Sequence, residues 1–292
     1  MELQQLRYVL AVAETRNFTR AAERCLVVQS ALSHQIARLE RELGTRLFAR
    51  TSRRVELTPA GEAFLPAARQ CLEAADRAVA DAADAVGQVR GRLAVGVIPT
   101  VAALDVPAAL HRFRTRHPQV RISLRGGASD ELTAQVRDGS LDVALLGLPP
   151  SDRPRGVRCR ELARDRHVAV VADGHPLAGA ACVDLRRLAR ETFVDFHAGT
   201  PGRQQTDDAF AAAGLVREVA FEVMAADLMV RIVRRGLAVA LLPSTFAPSL
   251  RGLTAVPVAD GPGRVEHLVW GDFNPSPATL AFLDVLELPP PA

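Results

Sequence analysis

Leu65, Ala68, Leu72, Ala75, Val79, Ala82 and Val86 follow one another at alternating steps of three and four residues. This heptad seam constrains the chain more than any other feature. The helix that carries it is long and has one narrow apolar stripe that it cannot bury alone, so the stripe packs against a second copy, the economical answer, or against its own chain. The seam therefore predicts a homodimerising helix, and it separates a short leading segment from a long trailing one. The expected division is 1–58, then 59–90 for the helix with a hinge at Gly87-Gln88-Val89-Arg90-Gly91, then 91–292.

The leading segment is basic. Residues 1–58 hold ten arginines against six acidic residues, whereas the remainder holds 26 basic and 27 acidic ones, so the net excess of +3 arises at the N-terminus. An excess confined to one short segment suits a phosphate-facing module joined to a domain that does not touch nucleic acid. Leu3, Leu6, Leu10 and Ala13 recur at helical spacing, and Asn17-Phe18-Thr19 breaks the pattern before a short helix with Ala21, Ala22 and Cys25. Leu26-Val27-Val28 reads as a tight turn. A third helix is expected from about Gln29 to Leu43, because Leu32, Ile36, Leu39 and Leu43 form one apolar stripe and Gly44 stops it. Its other side carries Ser30, Ser33, His34, Ala37, Arg38 and Arg41, a polar face suited to a groove. Leu47 to Thr58 reads as a hairpin wing with arginines at its tip.

Beyond the hinge, short apolar runs alternate with helical patterns. Strands are expected near 93–99, 120–124, 141–146, 167–172, 192–196, 219–223, 237–242 and 267–270, and helices near 104–116, 131–137, 206–213, 225–235 and 278–286. Such alternation predicts parallel α/β sheets, and a segment of this length is enough for two lobes. In sheets of this kind a ligand sits at the carboxyl ends of the strands.

The chain contains no lysine. That excludes a Walker-type phosphate lysine, a pyridoxal Schiff base and a Ser-Lys dyad. The histidines are scattered without H-E-x-x-H, and neither a G-x-S-x-G elbow nor a G-x-G-x-x-G after the first strand is present. No catalytic residue, cofactor or metal site is expected. Cys25, Cys71, Cys159 and Cys182 lie far apart, as reduced cytosolic thiols would, and the spacing of Cys159 and Cys182 gives a thiol switch no support. The N-terminus lacks the features of a secretory signal, and Pro243 and Pro248 break the apolar stretch from Leu237 to Leu250. A cytoplasmic protein without a membrane span is the expectation. A free-standing solute-binding protein would suit the C-terminal part but leaves the basic module unexplained.

Three motif blocks then stand in order. They are Phe18-Thr19-Arg20-Ala21-Ala22-Glu23, the run from Ala31-Leu32-Ser33 through Leu39-Glu40, Leu43-Gly44 and Leu47-Phe48 to Arg50, and Leu57-Thr58-x-Ala60-Gly61. Together they resemble the signature of LysR-type transcriptional regulators. The likeness continues more loosely through Gly91-Arg92-Leu93, Leu141-Asp142-Val143-Ala144 and Gly236 to Pro243. It implies an α/β protein with an all-α winged helix-turn-helix, a long linker helix and a two-lobed effector domain of the type II periplasmic-binding-protein kind. The implied lobes are about 91–161 with 266–292, and about 162–265. The implied partners are double-stranded promoter DNA, a small-molecule effector and further copies of the chain, as a dimer and tetramer. Two positions depart from the family: Val28-Gln29-Ser30 stands where Ser-Gln-Pro is usual, and His34 where arginine is common.

The DNA contacts expected are Thr19, Arg20, Gln29, Ser30, Ser33, His34 and Arg38 from the helices and Arg50, Arg53 and Arg54 from the wing. For the effector, a small organic acid, the candidates are Thr100 and Val101 after the first strand and Gly199 and Thr200 after the strand ending near Phe196. Backbone N–H groups at helix starts in such places hold carboxylates. Phe196 is the candidate apolar wall, and Arg125 or Arg203 the candidate counter-charge.

Overall fold

The computed structural model describes residues 1–50, 55–84, 88–272 and 274–287. Arg53, Arg54, Val86 and Gly87, singled out above, lie outside the described residues. The chain separates into two units, Met1–Gly91 with Asp138–Ser140, and Arg92–Arg137 with Leu141–Ala292.

The first unit begins with α1 (Leu3–Thr15), α2 (Phe18–Arg24) and α3 (Gln29–Leu43), followed by the hairpin β1 (Phe48–Arg50) and β2 (Val55–Leu57) and then by α4 (Pro59–Asp84). A capping box starts α1, the Gln5 side chain accepting from the Glu2 backbone N–H at 2.9 Å. Val9 and Val12 of α1, Ala21 and Ala22 of α2, and Leu32, Ile36 and Leu39 of α3 close one core, where Phe18 meets Phe48 edge-on at 5.8 Å. Leu43, the fourth member of the expected stripe, is 39% exposed in the last turn instead. Gly44 ends α3 with φ at 68°, a conformation that a side chain disfavours. Gly61 meets a different need: a Cβ there would stand 2.2 Å from the Leu47 carbonyl oxygen, so only glycine lets α4 start against the wing. The Thr58 hydroxyl fastens the same junction, donating to the Arg46 carbonyl at 2.6 Å and accepting from the Gly61 N–H at 3.0 Å.

The heptad residues of α4 divide into two groups. Leu65 packs into the core of the first unit and Ala68 is buried, Leu72 and Ala75 are half-buried, and Val79 (74% exposed) and Ala82 lie on the surface. The start of the seam therefore serves its own chain, and its later part is unburied in the single chain.

The second unit runs β3 (Gly91–Val97), α5 (Val106–Arg116), β4 (Val120–Gly126), α6 (Ser129–Arg137), β5 (Val143–Leu148) and β6 (Arg158–Ala172). It continues through α7 (Leu185–Leu188), β7 (Thr192–Asp195), α8 (Pro201–Ala212), β8 (Glu218–Glu222), α9 (Ala226–Arg234) and β9 (Ala240–Pro243), then β10 (Leu253–Pro257), β11 (Gly263–Trp270) and α10 (Pro277–Val285). The main sheet has the order β10-β6-β11-β5-β3-β4, with β9 also on β6. The expectation of parallel sheets holds for β3 with β5 and β7 with β8, whereas β11 runs antiparallel to β5 and β6, and β9 and β10 antiparallel to β6. The physical reason is the chain path. β6 leaves the first lobe for the second, β11 returns, and two neighbouring strands that cross in opposite senses must be antiparallel.

β6 spans both lobes. Arg158 to Arg166 pair with β11, whereas His167 to Ala172 pair with β9 and β10. The expected lobe junction at 161/162 lies inside this strand. Ala169 and Val171 enter one core of the second lobe and Val170 enters the core on its other face, so this part of β6 is apolar on both sides. In the first lobe, Ala94, Leu132, Val136, Leu141, Ala144 and Val269 form the core, and Asp142 ties β3 to the start of β5 by accepting from the Ala94 N–H at 2.6 Å.

Candidate functional site

Two places bring candidate residues together. The first is the outer face of α3. Asn17 caps α2 by accepting from the N–H groups of Thr19 at 2.8 Å and Arg20 at 3.0 Å, which leaves the side chains of both residues exposed. Gln29, Ser30, His34 and Arg38 are exposed along α3 and Ser33 is half-buried, while Leu32, Ile36 and Leu39 face inward. These residues form one polar row. Arg38 is engaged within its own unit, 3.5 Å from Glu2 and 3.4 Å from Glu42. Arg50 closes β1 opposite Val55. Val28 takes the N-cap position of α3 without a side-chain cap, and Ser30 lies inside the helix, so the departure from Ser-Gln-Pro is not repaired by Ser30. Such a loss weakens the first turn by about 1 kcal/mol.

Glu40 is a residue that the sequence motif contained but sequence reasoning gave no role. Its Oε1 accepts from the N–H groups of Leu47 at 2.8 Å and Phe48 at 3.2 Å, and this fixes the base of the wing to α3. Glu40→Ala is expected to cost roughly 1–3 kcal/mol in a urea titration of the full chain, because two partly buried N–H groups lose a charged acceptor. An unchanged midpoint would mean that the wing is held by other contacts.

The second place is a cavity of about 300 Å³ between the two lobes of the second unit. Ile98, Pro99 and Thr100 after β3, the segment Gly126 to Ser129 at the start of α6, and Gly147 on β5 line it from the first lobe. Asp195 and Phe196, the start of α8 from Thr200 to Gly202, Gln205, Met224 and the end of β9 line it from the second, and His167 and Arg264 stand at the crossing strands. Of the expected effector residues, Thr100, Phe196 and Thr200 meet here. Val101, Gly199, Arg125 and Arg203 do not line it: Val101 and Gly199 border other grooves, Arg125 is exposed, and Arg203 is bound to Asp207 at 2.9 Å and Glu222 at 3.2 Å. Thr200 is the N-cap residue of α8, with Pro201 in its first turn, but its hydroxyl donates to the His197 carbonyl rather than to its own helix.

Sequence reasoning missed the charged floor. Arg264 and Glu266 are both almost fully buried and pair at 3.0 Å; Arg264 also donates to the Thr100 carbonyl at 3.2 Å, and Glu266 accepts from the N–H groups of Ala102 and Ala103. Burial pushes the Glu266 carboxyl up, against the pull of Arg264 and of those two N–H groups. His167 is driven down to about 4 by burial, against a hydrogen bond from its Nδ1–H to the Pro262 carbonyl at 3.2 Å. It is a neutral wall residue near neutral pH. Asp195 accepts from the Phe196 N–H at 2.7 Å and from Arg217 at 2.7 Å, so its charge is balanced from behind the wall. The sequence did carry one sign of this floor, since an Arg-x-Glu pair on a strand whose neighbours are apolar is costly unless the two ions meet.

Residues 3–62 match the family model described as the bacterial regulatory helix-turn-helix protein, lysR family, and residues 87–288 match the LysR substrate binding domain. A Mycobacterium avium protein named "Probable hydrogen peroxide-inducible genes activator" is 37% identical over 272 residues, covering 91% of this chain and 86% of that protein. Among solved structures, a full-length OxyR variant from Pseudomonas aeruginosa superposes with a TM-score of 0.75 at 27% identity, covering 99% of this chain and 95% of the other. Full-length CbnR in complex with its target DNA gives 0.67 at 26% identity, covering 98% and 99%. With a polar-faced helix and a hairpin in the first unit, a cavity between the lobes of the second, and family matches over both, the chain belongs to the LysR family of transcriptional regulators.

Proposed function

We propose that Gln29, Ser30, Ser33 and His34 read base edges in the major groove of promoter DNA, while Thr19, Arg20, Arg38 and the wing residues Arg50, Arg53 and Arg54 hold phosphates or enter the minor groove. Two copies join along the seam of α4 through Leu72, Ala75, Val79 and Ala82, which the sequence continues to Val86, and further pairing gives the tetramer. A small organic acid in the interlobe cavity biases how the paired heads are presented to DNA. The protein works in the cytoplasm, where promoters are reached, and performs no catalysis of its own.

The observation that carries this reading is the convergence of Thr100, Phe196 and Thr200 with the starts of α6 and α8 on one cavity. Helix N-termini present N–H groups and the positive end of a dipole, an arrangement that favours an anion. That CbnR was solved on its target DNA supports the role given to α3. The name of the mycobacterial relative suggests peroxide, but no cysteine is among the residues lining the cavity, and Cys159 and Cys182 are exposed, one before the lobe crossing in β6 and the other after it. Among the described residues no helix is long and apolar enough to cross a membrane.

The test is a gel-shift titration of the full chain on the promoter region beside its own gene, over a range of salt. Affinity is expected to fall steeply with salt, and Arg53→Ala to reduce the logarithmic slope by about one unit. A slope that Arg53→Ala leaves alone would remove the wing from the phosphate contacts.

A further inference from the structure

The turn between α2 and α3 carries two side chains that the fold does not use. Leu26 is 92% exposed and Val28 is 69% exposed, on either side of Val27, which packs against the core of the first unit. Leu26 has φ at 57°, a left-handed conformation that favours glycine or asparagine. The turn is nevertheless well fastened. The Leu26 N–H donates to the Glu23 carbonyl at 3.1 Å and the Val27 N–H to the Ala22 carbonyl at 3.0 Å, while the Val28 carbonyl accepts from the N–H groups of Ala31 at 3.1 Å and Leu32 at 3.3 Å. Val28 holds the N-cap position of α3 without supplying a side-chain acceptor, where serine, threonine, aspartate or asparagine would. The disfavoured backbone conformation and the missing cap both weaken the head, and neither exposed side chain returns anything to its core.

What covers the pair follows from where it stands. Leu26 and Val28 adjoin the exposed Gln29 and Ser30, so they extend the polar row of Gln29, Ser30, Ser33 and His34 at the start of α3. That row belongs to the helix-turn-helix of a family whose member CbnR was solved on its target DNA. The floor of a major groove consists of hydrogen-bond donors and acceptors with one apolar group among them, the C5-methyl of thymine. We propose that Leu26 and Val28 select the operator by packing against thymine C5-methyl groups beside the bases met by Gln29 and Ser30. This rests on α3 reading the major groove. Cytosine in the same place offers an N4 amino donor, which an apolar neighbour leaves without an acceptor, so the pair discriminates thymine from cytosine. Valine is stiff at χ1 and the turn is fastened, so little ordering is needed on binding and its entropic cost stays low.

The test uses the full-length chain and the promoter region beside its own gene, amplified once with thymidine triphosphate and once with deoxyuridine triphosphate. Uracil keeps the pairing, the phosphates and the groove acceptor of thymine and lacks only the methyl. In gel shifts the parent is expected to bind the uracil fragment about four-fold more weakly for each methyl met, hence about fifteen-fold when each of two heads meets one. The variant is Leu26→Asn/Val28→Ser. Asparagine accepts the left-handed conformation and serine caps α3, so the variant is expected to melt at or above the parent. Its preference for thymine over uracil is expected to disappear, and each single change to remove part of it, which keeps the comparison measurable if the double variant binds weakly. A parent preference below about two-fold overturns the proposal, as does a double variant that keeps the parent's preference. Replacing thymines one at a time is expected to place the loss at matching positions of two half-sites. A loss spread evenly along the fragment would assign it to duplex shape and overturn the proposal. Equal binding of both fragments retains α3 as the reader and discards the apolar pair, whereas binding to neither at low salt would discard the reading by α3 and this inference with it.

Discussion

Arg217→Ala is expected to destabilise the protein by about 3–5 kcal/mol, the range found when one member of a buried ion pair is removed. The Arg217 side chain is 3% exposed, and its Nη2 donates to Asp195 at 2.7 Å, to the Thr206 hydroxyl at 2.7 Å and to Asp207 at 2.8 Å. Its guanidinium carbon lies 4.9 Å from the ring centre of Phe193 and 5.2 Å from that of Phe210, and these two rings meet edge-on at 5.6 Å. Removing it empties a gap between two buried rings and leaves Asp195, whose side chain is 4% exposed, with only the Phe196 N–H and the Thr206 hydroxyl. Asp195 ends β7 and lines the cavity, so the same loss loosens the wall of the proposed effector site. Urea unfolding of the full chain checks the size of the effect. Adding Asp195→Asn should recover about 1 kcal/mol or more, because no carboxylate is then stranded. A single variant that loses less than about 1 kcal/mol would show that the rings alone hold this region.

Acid should unfold the second unit through His167. The imidazole is held at about 4 in the folded protein, chiefly by burial, while in the unfolded chain it titrates near 6.5. Between these values the unfolded chain binds the extra proton, so stability falls as the pH drops through that window. The contribution is complete above pH 6.5, is reduced by roughly 2 kcal/mol at pH 5, and is lost by roughly 3 kcal/mol once the folded imidazole is also protonated. Urea midpoints of the parent and of His167→Gln, measured at pH 7.5 and pH 5, isolate this share from that of the other groups. Parallel behaviour of the two proteins would mean that His167 is not the group responsible. The same depressed value keeps the cavity free of a histidine charge near neutral pH, which leaves Arg264 as the cation lining it among the described residues.

The head was legible because its signals are local. Helical periodicity in Leu32, Ile36 and Leu39 and the glycine after Leu43 describe α3 without reference to anything distant. Gly61 and Thr58 belonged to a recognisable motif, but their purpose, a close approach of α4 to the Leu47 carbonyl, becomes visible only when the two segments meet. The first half of β6 escaped notice. Arg158-Cys159-Arg160-Glu161-Leu162-Ala163-Arg164-Asp165-Arg166 carries few apolar residues, and the strand is held by its pairing with β11 rather than by a buried face. α8 was expected to start near Thr206 and starts at Pro201, because proline is well suited to the first turn of a helix, where its missing N–H is no loss.

For the effector site the residue choices divided along the same line. Thr100 and Thr200 could be named because each follows a predicted strand, and a loop at a strand end is where ligands meet such sheets. Arg125 and Arg203 could not be told apart from Arg264 by sequence, since each is an arginine near an apolar run. Arg125 came out exposed, Arg203 tied to Asp207 and Glu222, and Arg264 buried with a donor facing no acceptor.

Sequence alone thus determined the family, the polar row on α3, the basic charge of the first 58 residues and the seam on α4, because periodicity, charge and motif order survive without coordinates. Tertiary structure alone decided which strands run antiparallel, where the chain changes lobes, and which arginine stands on the cavity wall. Those outcomes depend on bringing β3, α6, β7, α8 and β11 to one place, and the free energy of a buried charge is set by the neighbours that folding supplies rather than by those beside it in the chain.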